Sequence, residues 1–276
     1  MRHVGLIGLG AMGLPMARTL AGAGFNVSGF DASAARRALF QGAVETIEAL
    51  ADRDIFVLSL PNDATVADVV HDLMAIAKDG ATIIDTSTVA PDTTRRLQAA
   101  AATRGLGYVD APVSGGAAGA ADGTLLVMAG GSTAALEAAR PVLDALARKI
   151  VPCGGPGAGN VVKLINNVLC AGHLLLAGEA LRIARSGAVA PADLVEALNA
   201  GSGRSAVTEV NLPRWVLSNT FDSNFTMALM TKDVELAAEL DGAGAIACAV
   251  AAHWRTALAE LGGGEDFNRI IEVEPT

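Results

Sequence analysis

The chain has 276 residues, 51% of them hydrophobic and 4% aromatic, so it can bury a sizeable core built mainly of aliphatic side chains and alanine. Its net charge of −9 argues against nucleic-acid binding, which needs a basic face, but permits a small anionic substrate at a locally basic site. The three cysteines and four histidines have no metal-ligand spacing, which argues against a disulfide framework and a metal site.

The N-terminal segment begins a strand pattern directly, without the basic region, apolar stretch and cleavage site of a secretory signal. The longest apolar stretch, 161–183, is interrupted by polar residues that a membrane span would not tolerate, among them Lys163, Asn167 and Glu179. We therefore expect a cytoplasmic protein that does not associate with membranes.

The first half of the chain alternates short β-branched runs with helical patterns. The predicted strands are 4–7, 26–30, 55–59, 82–85 and 124–131, with a strand followed by a loop at 107–114. The predicted helices are 12–23, 34–40, 64–77, 93–105 and 134–147. This alternation is typical of βαβ units and predicts a parallel, doubly wound sheet of Rossmann type. The glycine–alanine stretch 117–123 is interpreted as a short loop.

The pattern changes after a cluster of glycine and proline at 153–159. A long helix is predicted at 158–186, ending before Gly187, and further helical segments at 191–198, 208–217, 230–240 and 245–261. These patterns predict two domains: a dinucleotide-binding domain, 1–156, and an all-helical substrate and dimerisation domain, 157–276. Residues 157–187 form the interdomain helix.

A glycine-rich motif follows the first predicted strand and opens a helix. Gly8, Gly10 and Gly13 have the G-x-G-x-x-G spacing, which permits a tight turn, close approach of the backbone to a pyrophosphate, and packing of helix on strand. The predicted cofactor-binding turn therefore comprises Gly8, Leu9, Gly10, Ala11, Met12 and Gly13.

The end of the second predicted strand carries Asp31, where an acidic side chain accepts hydrogen bonds from ribose hydroxyls. A carboxylate there repels the extra phosphate of NADP, which favours NAD. The nearby Arg36 and Arg37 keep NADP possible. Leu60, Pro61 and Thr88 follow the third and fourth strands, and we expect the same crevice to include them.

Four segments resemble the β-hydroxyacid dehydrogenase family, whose members include 3-hydroxyisobutyrate dehydrogenase, tartronate semialdehyde reductase and 2-(hydroxymethyl)glutarate dehydrogenase. The segments are GLGAMGLPMA (8–17), the stretch 110–125 beginning DAPVSGG, GAGNVVKLINN (157–167) and TKDVELA (231–237). They occur in the family's order and span nearly the whole chain.

The resemblance implies roles for individual residues. Ser114, Gly115 and Gly116 would bind a substrate carboxylate, Lys163 would be the catalytic amine, and Asn167 would bind substrate beside it. Thr88 would contact the nicotinamide end of the cofactor, and Lys232 would close over the cofactor. Phe225 and Asp233 would flank that closure. Family members pack this helical domain against a second copy, so we expect a homodimer or homotetramer.

The chemistry of the residues agrees with this resemblance. Lys163 and Asn167 are four residues apart on a predicted helix and share one face. A buried lysine whose pKa is lowered toward neutrality can take the proton of a hydroxyl group during oxidation and return it during reduction. Backbone amides of the Ser-Gly-Gly stretch suit an anion. Arg204 could bind a second carboxylate of the substrate, as the similar SGRS stretch of the hydroxymethylglutarate type suggests.

Asn166 stands where decarboxylating sugar-acid relatives carry histidine, and the chain lacks their longer helical domain, which disfavours 6-phosphogluconate chemistry. Lys163 argues against imine reductases, which usually replace it. The favoured function is an NAD-dependent oxidoreductase that acts on a small 3-hydroxy acid or its semialdehyde. An NADPH-dependent glyoxylate or succinic semialdehyde reductase and a non-catalytic NAD-binding module remain alternatives.

Overall fold

The computed structural model describes residues 2–273. The chain divides into two compact units, Met1–Lys163 and Leu164–Thr276. The division between the units falls inside the long helix, a few residues after the predicted domain boundary at 156/157. That boundary stays a prediction.

The first unit contains eight described strands and six α-helices. The strands are β1 (His3–Ile7), β2 (Asn26–Phe30), β3 (Ile55–Leu58), β4 (Thr82–Asp85), β5 (Gly107–Asp110), β6 (Val113–Ser114), β7 (Leu125–Gly131) and β8 (Ala147–Gly154). The helices are α1 (Gly13–Gly22), α2 (Ala34–Arg37), α3 (Asp63–Ile76), α4 (Pro91–Thr103), α5 (Gly116–Asp122) and α6 (Thr133–Leu146), with a 3₁₀ turn at Ile47–Leu50.

The strands form one mixed sheet in the order β2-β1-β3-β4-β5-β7-β6, and β8 pairs with β7. Strands β1 to β5 are parallel, whereas β7 is antiparallel to both β5 and β6. The Rossmann-type fold class is confirmed, but the expectation of a wholly parallel sheet is wrong at this edge. The connection from β6 to β7 is shorter than the dozen or more residues that a parallel crossover requires.

Two short elements depart from the sequence interpretation. The stretch 117–123 is not a loop, because the helix Gly116–Asp122 covers most of it. Gly115 and Gly123, with φ of 129° and 65°, flank this helix and permit its abrupt ends. The strand Ala147–Gly154 was not predicted, since most of its residues are exposed and it lacks apolar alternation.

The sheet is buried on both faces, as expected for parallel strands covered by helices. One core contains Leu6, Val57 and Ile84, and the other contains Phe56 and Ile83. Neighbouring residues of one strand therefore point into different cores, which explains the continuous apolar runs of β1, β3 and β4. This burial fixes the strand ends, where the candidate site lies.

The second unit is helical. Helix α7 (Ala158–Ser186) starts in the first unit and links the two, and it is followed by α8 (Pro191–Ala200), a π-helix (Val207–Val216), α9 (Met227–Ala238), α10 (Ala245–Leu261) and a 3₁₀ helix (Phe267–Glu272). Trp254 is fully buried at its centre, and its indole N–H donates to the Ala171 carbonyl over 3.4 Å. The helical character and the bounds of α7 are as predicted, but a π-helix has no sequence pattern that distinguishes it from an α-helix.

Helix α7 is the one helix in the described part of the chain that is long and apolar enough to cross a membrane, judged by length and composition. Core helices of globular proteins pass the same test. Leu164, Ala171 and Leu174 of this helix are buried within the structure.

Candidate functional site

The turn after β1 is shaped by close backbone contacts that only glycine allows. A Cβ atom on Gly13 would lie 1.7 Å from the Gly8 carbonyl oxygen, and one on Gly8 would lie 2.2 Å from the Ser59 carbonyl oxygen. The space beside Gly10 is open, since a Cβ atom placed there would meet nothing closer than Arg36 Nη1 at 3.7 Å. Helix α1 starts without a side-chain cap. The positive end of the helix therefore faces an open turn, which fits a pyrophosphate.

Asp31 lies directly after β2 and is buried. Its carboxylate accepts the backbone N–H of Leu9 and that of Ser33, each over 2.8 Å. These bonds hold the carboxylate beside the glycine turn, where it would meet the ribose of a dinucleotide.

Two arginines follow Asp31 and differ in their contacts. Arg36 is 59% exposed, and its guanidinium lies 3.6 Å from the Asp31 carboxylate. Arg37 is mostly buried, donates to the carbonyls of Asp31 and Ala32, and pairs with Glu45. Arg36 is therefore the cation that can reach a phosphate near Asp31.

The ends of β3 and β4 are joined through Ser87. The Ser87 hydroxyl oxygen accepts the backbone N–H of Leu60 over 2.9 Å, and the Ser87 backbone N–H donates to Asp85 over 2.9 Å. The loop with Leu60 and Pro61 is thus fixed to the loop that carries Thr88. The parallel register places both loops at the edge that also holds the glycine turn.

Asp85 is fully buried at the end of β4. Burial raises the pKa of its carboxyl to about 6, although hydrogen bonds from Ser87 and Tyr108 oppose the rise. The Tyr108 hydroxyl donates to Asp85 over 2.9 Å, and its own pKa is raised well above its usual value, mainly by burial. Asp85 is not among the residues predicted for the site, and its position at a strand end is its only signal in the sequence.

The predicted carboxylate-binding stretch follows β5. Ser114 ends the short strand β6 and is partly exposed, while Gly115 and Gly116 are exposed and adopt positive φ. No atom lies within 4 Å of a Cβ placed on Gly116. Gly116 therefore borders open space, and the substrate role of the stretch stays a prediction.

Asp110 lies at the end of β5, beside Asp85 in the sheet register. Its carboxylate accepts backbone N–H groups from the start of α7, and burial raises its pKa. Asp110 therefore caps the start of the helix that carries Lys163.

Lys163 is 9% exposed, in the second turn of α7. Among residues 2–273 it is the one lysine or arginine that is buried. Lysine side chains are seldom buried to this extent in folded proteins, so this position makes Lys163 a candidate reactive group. Asn167 lies four residues further on the same helix.

The second unit holds a compact polar group around Asp233, which is buried in α9. Its carboxylate accepts the Asn167 side-chain amide over 2.6 Å and the Lys232 ammonium over 2.7 Å. The amide of Asn166 donates to the Asn167 side-chain oxygen over 3.0 Å. The structure therefore brings two of the predicted residues, Asn167 and Lys232, together through Asp233.

Arg204 and Phe225 lie elsewhere in the second unit. Arg204 is in the loop between α8 and the π-helix, and its side chain is 64% exposed and 3.7 Å from the Glu209 carboxylate. Phe225 packs edge-on against Phe267, with ring centroids 5.3 Å apart. The roles of both residues stay predictions.

The geometry of the first unit defines a class of protein. A glycine turn closed by backbone contacts, an uncapped helix start and a buried acidic residue after β2 together form a dinucleotide-binding site. Residues 3–155 match the family described as the NAD binding domain of 6-phosphogluconate dehydrogenase. Residues 157–273 match the family described as NAD-binding of NADP-dependent 3-hydroxyisobutyrate dehydrogenase.

Individual relatives agree over nearly the full length. 2-(Hydroxymethyl)glutarate dehydrogenase of Eubacterium barkeri is 36% identical over 98% of this chain and 94% of its own length. NAD-dependent L-serine dehydrogenase of Pseudomonas aeruginosa is 37% identical over 87% of this chain and 85% of its own length. The solved structure of Mycobacterium tuberculosis 3-hydroxyisobutyrate dehydrogenase with L-serine has a TM-score of 0.91 at 31% identity, covering 99% and 98% of the two chains.

The chain belongs to the 3-hydroxyisobutyrate dehydrogenase-like β-hydroxyacid dehydrogenase family, and the predicted resemblance is confirmed. It is an NAD(P)-dependent oxidoreductase of that family. The descriptions of the relatives name both NAD and NADP, so membership leaves the nucleotide open.

Proposed function

We propose that the chain is an NAD-dependent dehydrogenase of a small 3-hydroxy acid or its semialdehyde, with Lys163 as the general acid and base. The observation that carries the proposal is the buried amine of Lys163 on a helix whose start is held at the end of β5. A bound nicotinamide would supply the chemistry of hydride exchange with the substrate carbon. The residues would be responsible for binding, orientation and movement of the proton.

The predicted roles divide between carboxylate binding and proton transfer. The Ser114 hydroxyl and the amides of Gly115 and Gly116 would bind the substrate carboxylate. Lys163 Nζ would take the proton of the substrate hydroxyl during oxidation and return it during reduction. In reduction the ammonium would also stabilise negative charge on the oxygen. Asn167 has a second amide N–H beyond the one given to Asp233, which it would offer to the substrate.

The nucleotide is proposed to be NAD, held by the turn Gly8–Gly13, by Leu60, Pro61 and Thr88 at the strand ends, and by Lys232. The buried Asp31 carboxylate supports this choice, since it would repel a ribose phosphate. Arg36, 3.6 Å from that carboxylate, supports the NADP-dependent reductase of glyoxylate or succinic semialdehyde as the second candidate. The ratio of kcat/KM for the two nucleotides tests the choice, and a preference for NADP would contradict it.

The substrate is proposed to be a hydroxy acid with a second carboxylate, which would bind Arg204. The exposure of that side chain supports this, as does the similarity to a 2-(hydroxymethyl)glutarate dehydrogenase. A panel of 3-hydroxyisobutyrate, 2-(hydroxymethyl)glutarate, L-serine and their semialdehydes, read by NADH absorbance, tests the proposal. Binding of NAD without turnover of any panel member would instead favour a non-catalytic NAD-binding module.

The protein is proposed to act in the cytoplasm as a homodimer or homotetramer. Helix α7 supports association, because Val162, Ile165, Leu169, Leu176 and Ile183 are between 37% and 69% exposed. Their spacing of three, four and seven residues places them along one face of the helix. An exposed apolar face of this length marks a protein contact. Light scattering at micromolar concentration tests the proposal, and a monomer would contradict it.

A further inference from the structure

The first turn of α7 is attached to the sheet by one buried carboxylate. Asp110 is 1% exposed; its Oδ1 accepts the N–H of Gly157 over 2.9 Å and its Oδ2 accepts that of Asn160 over 3.0 Å. The first amides of a helix have no partner within the helix, and its positive end favours a carboxylate. Asp110 therefore anchors the start of α7 directly at the end of β5.

The start of α7 is also fixed by close packing at two glycines. A Cβ on Gly159 would lie 2.3 Å from the Met128 carbonyl oxygen, and one on Gly130 would lie 2.5 Å from Asp110 Oδ1. Both distances are too short for any side chain. The backbone of α7 thus touches β7 while its amides bind the carboxylate, so the helix cannot slide without breaking both contacts.

A second link comes from the side chain of Asn160, which is fully buried. Its Oδ1 accepts the N–H of Val89 over 3.2 Å, and its Nδ2 donates to the Thr94 hydroxyl oxygen over 3.1 Å. Val89 directly follows Thr88, and Thr94 lies in the first turn of α4. One side chain therefore joins α7 to the end of the loop after β4 and to the first turn of α4.

We infer that Asp110 and Asn160 are positioning residues that set Lys163 relative to Thr88 and the Ser114 stretch. Asn160 precedes Lys163 by three residues, so the two lie near one another on the helix surface. Asp110 precedes Ser114 by four residues. The two residues together, the helix bracket, connect the predicted cofactor, substrate and proton-transfer segments. The inference rests on the proposed function.

The bracket matters because proton transfer tolerates little displacement. A general base needs a heavy-atom distance of about 2.6–3.2 Å to the proton's carrier. A misplacement of about 1 Å can lower the rate by about 100-fold without removing any reacting group. Loss of a bracket contact should therefore lower kcat, while the dinucleotide, which binds at the glycine turn, keeps its affinity.

The test compares Asn160→Ala and Thr94→Val with the matched control Thr93→Val. Thr93 is the buried neighbour of Thr94 in the same turn, but its hydroxyl accepts only a long bond from Arg96. We expect kcat to fall about 10- to 100-fold in Asn160→Ala and about 3- to 10-fold in Thr94→Val. Thr93→Val should match the wild type.

Each variant is also measured for its KM, for its NAD dissociation constant by fluorescence titration, and for its Tm. A fall in kcat with NAD affinity within about threefold of wild type supports the inference. Wild-type kcat in folded Asn160→Ala and Thr94→Val overturns it. An equal loss of Tm, kcat and NAD affinity in both threonine variants also overturns it, because the residues would then only stabilise the fold. A wild-type protein without turnover overturns the proposed function and this inference together.

Discussion

The two units hold their buried carboxylates in different ways. In the first unit Asp31, Asp85 and Asp110 follow or end parallel strands, and each accepts backbone N–H groups. In the second unit Asp233 lies in a helix and accepts two side chains, those of Asn167 and Lys232. Truncation of one side chain does not remove a backbone donor, whereas it does remove a side-chain donor. The geometry of the first unit is therefore set by the fold, and that of the second by individual residues.

The largest effect is expected at the glycine turn of the first unit, whose shape depends on close backbone contacts. Gly13→Ala places a methyl group 1.7 Å from the Gly8 carbonyl oxygen, and neither backbone segment can move without disturbing the sheet. We expect a loss of more than about 4 kcal/mol in the free energy of unfolding. Gly10→Ala meets nothing closer than 3.7 Å and should keep the wild-type Tm while weakening dinucleotide binding. Equal Tm values for the two variants, from thermal denaturation, would contradict this description of the turn.

The next largest effect is expected at the Asp233 group of the second unit, which is held together by side-chain contacts. Asp233→Asn removes the negative charge that pairs with Lys232. It also leaves a single side-chain oxygen, for which Asn167 and Lys232 must compete. We expect kcat/KM to fall about 10- to 100-fold with the fold intact, since breaking a buried, hydrogen-bonded ion pair is costly. Glu235→Gln is the control, because its partner Arg255 is exposed and such pairs contribute about 1 kcal/mol or less. Wild-type kinetics in Asp233→Asn would show that the Asp233 group has no part in turnover.

A pH experiment sharpens the comparison at Asp85. Its pKa is raised from 3.8 to about 6 in the fold, so the protonated carboxyl stabilises the native state and the ionised one destabilises it. Stability should therefore fall as pH rises from about 4 to about 6, by on the order of 3 kcal/mol at most. Asp85→Asn should lack this loss. Denaturant unfolding of both proteins at pH 4 and pH 7 measures the difference, and a pH-independent difference would refute the assignment.

The smallest effect is expected at Arg204, whose side chain is 64% exposed. Arg204→Ala should raise KM for a dicarboxylate hydroxy acid by up to about 5-fold and leave that for a monocarboxylate unchanged, because one exposed ion pair contributes about 1 kcal/mol or less. Arg255→Ala, which removes another exposed arginine of the second unit, is the control. Equal changes of KM for both substrates would remove Arg204 from substrate selection.

Much of the fold follows from the sequence because it depends on local signals. The apolar runs of β1, β3 and β4 and the 29-residue periodic stretch of α7 are continuous enough to fix the type and position of these elements. Strand β8 is exposed and carries Arg148 and Lys149, so its pairing with β7 comes from the sheet and not from its own pattern. Helix α5 consists of glycine and alanine up to Asp122, so its sequence has no apolar periodicity that would predict a helix.

The candidate site divides in the same manner. Gly8, Gly13 and Asp31 are recognisable because a spacing and a strand end mark them. Asp85 and Asn160 are not, because their importance lies in partners 23 and 71 residues away, Tyr108 and Val89. A sequence pattern shows which residues are polar near a motif, but contacts of this separation appear only in the folded chain.

The most direct measurement of the central claim is the turnover of Lys163→Ala with the best substrate of the panel at saturating NAD. General acid–base catalysis contributes about 10²- to 10⁴-fold, so kcat should fall within or beyond that range. The NAD dissociation constant should stay close to wild type, because the glycine turn and Asp31 are unchanged. A Lys163→Ala protein that binds NAD and turns over at the wild-type rate would contradict the account.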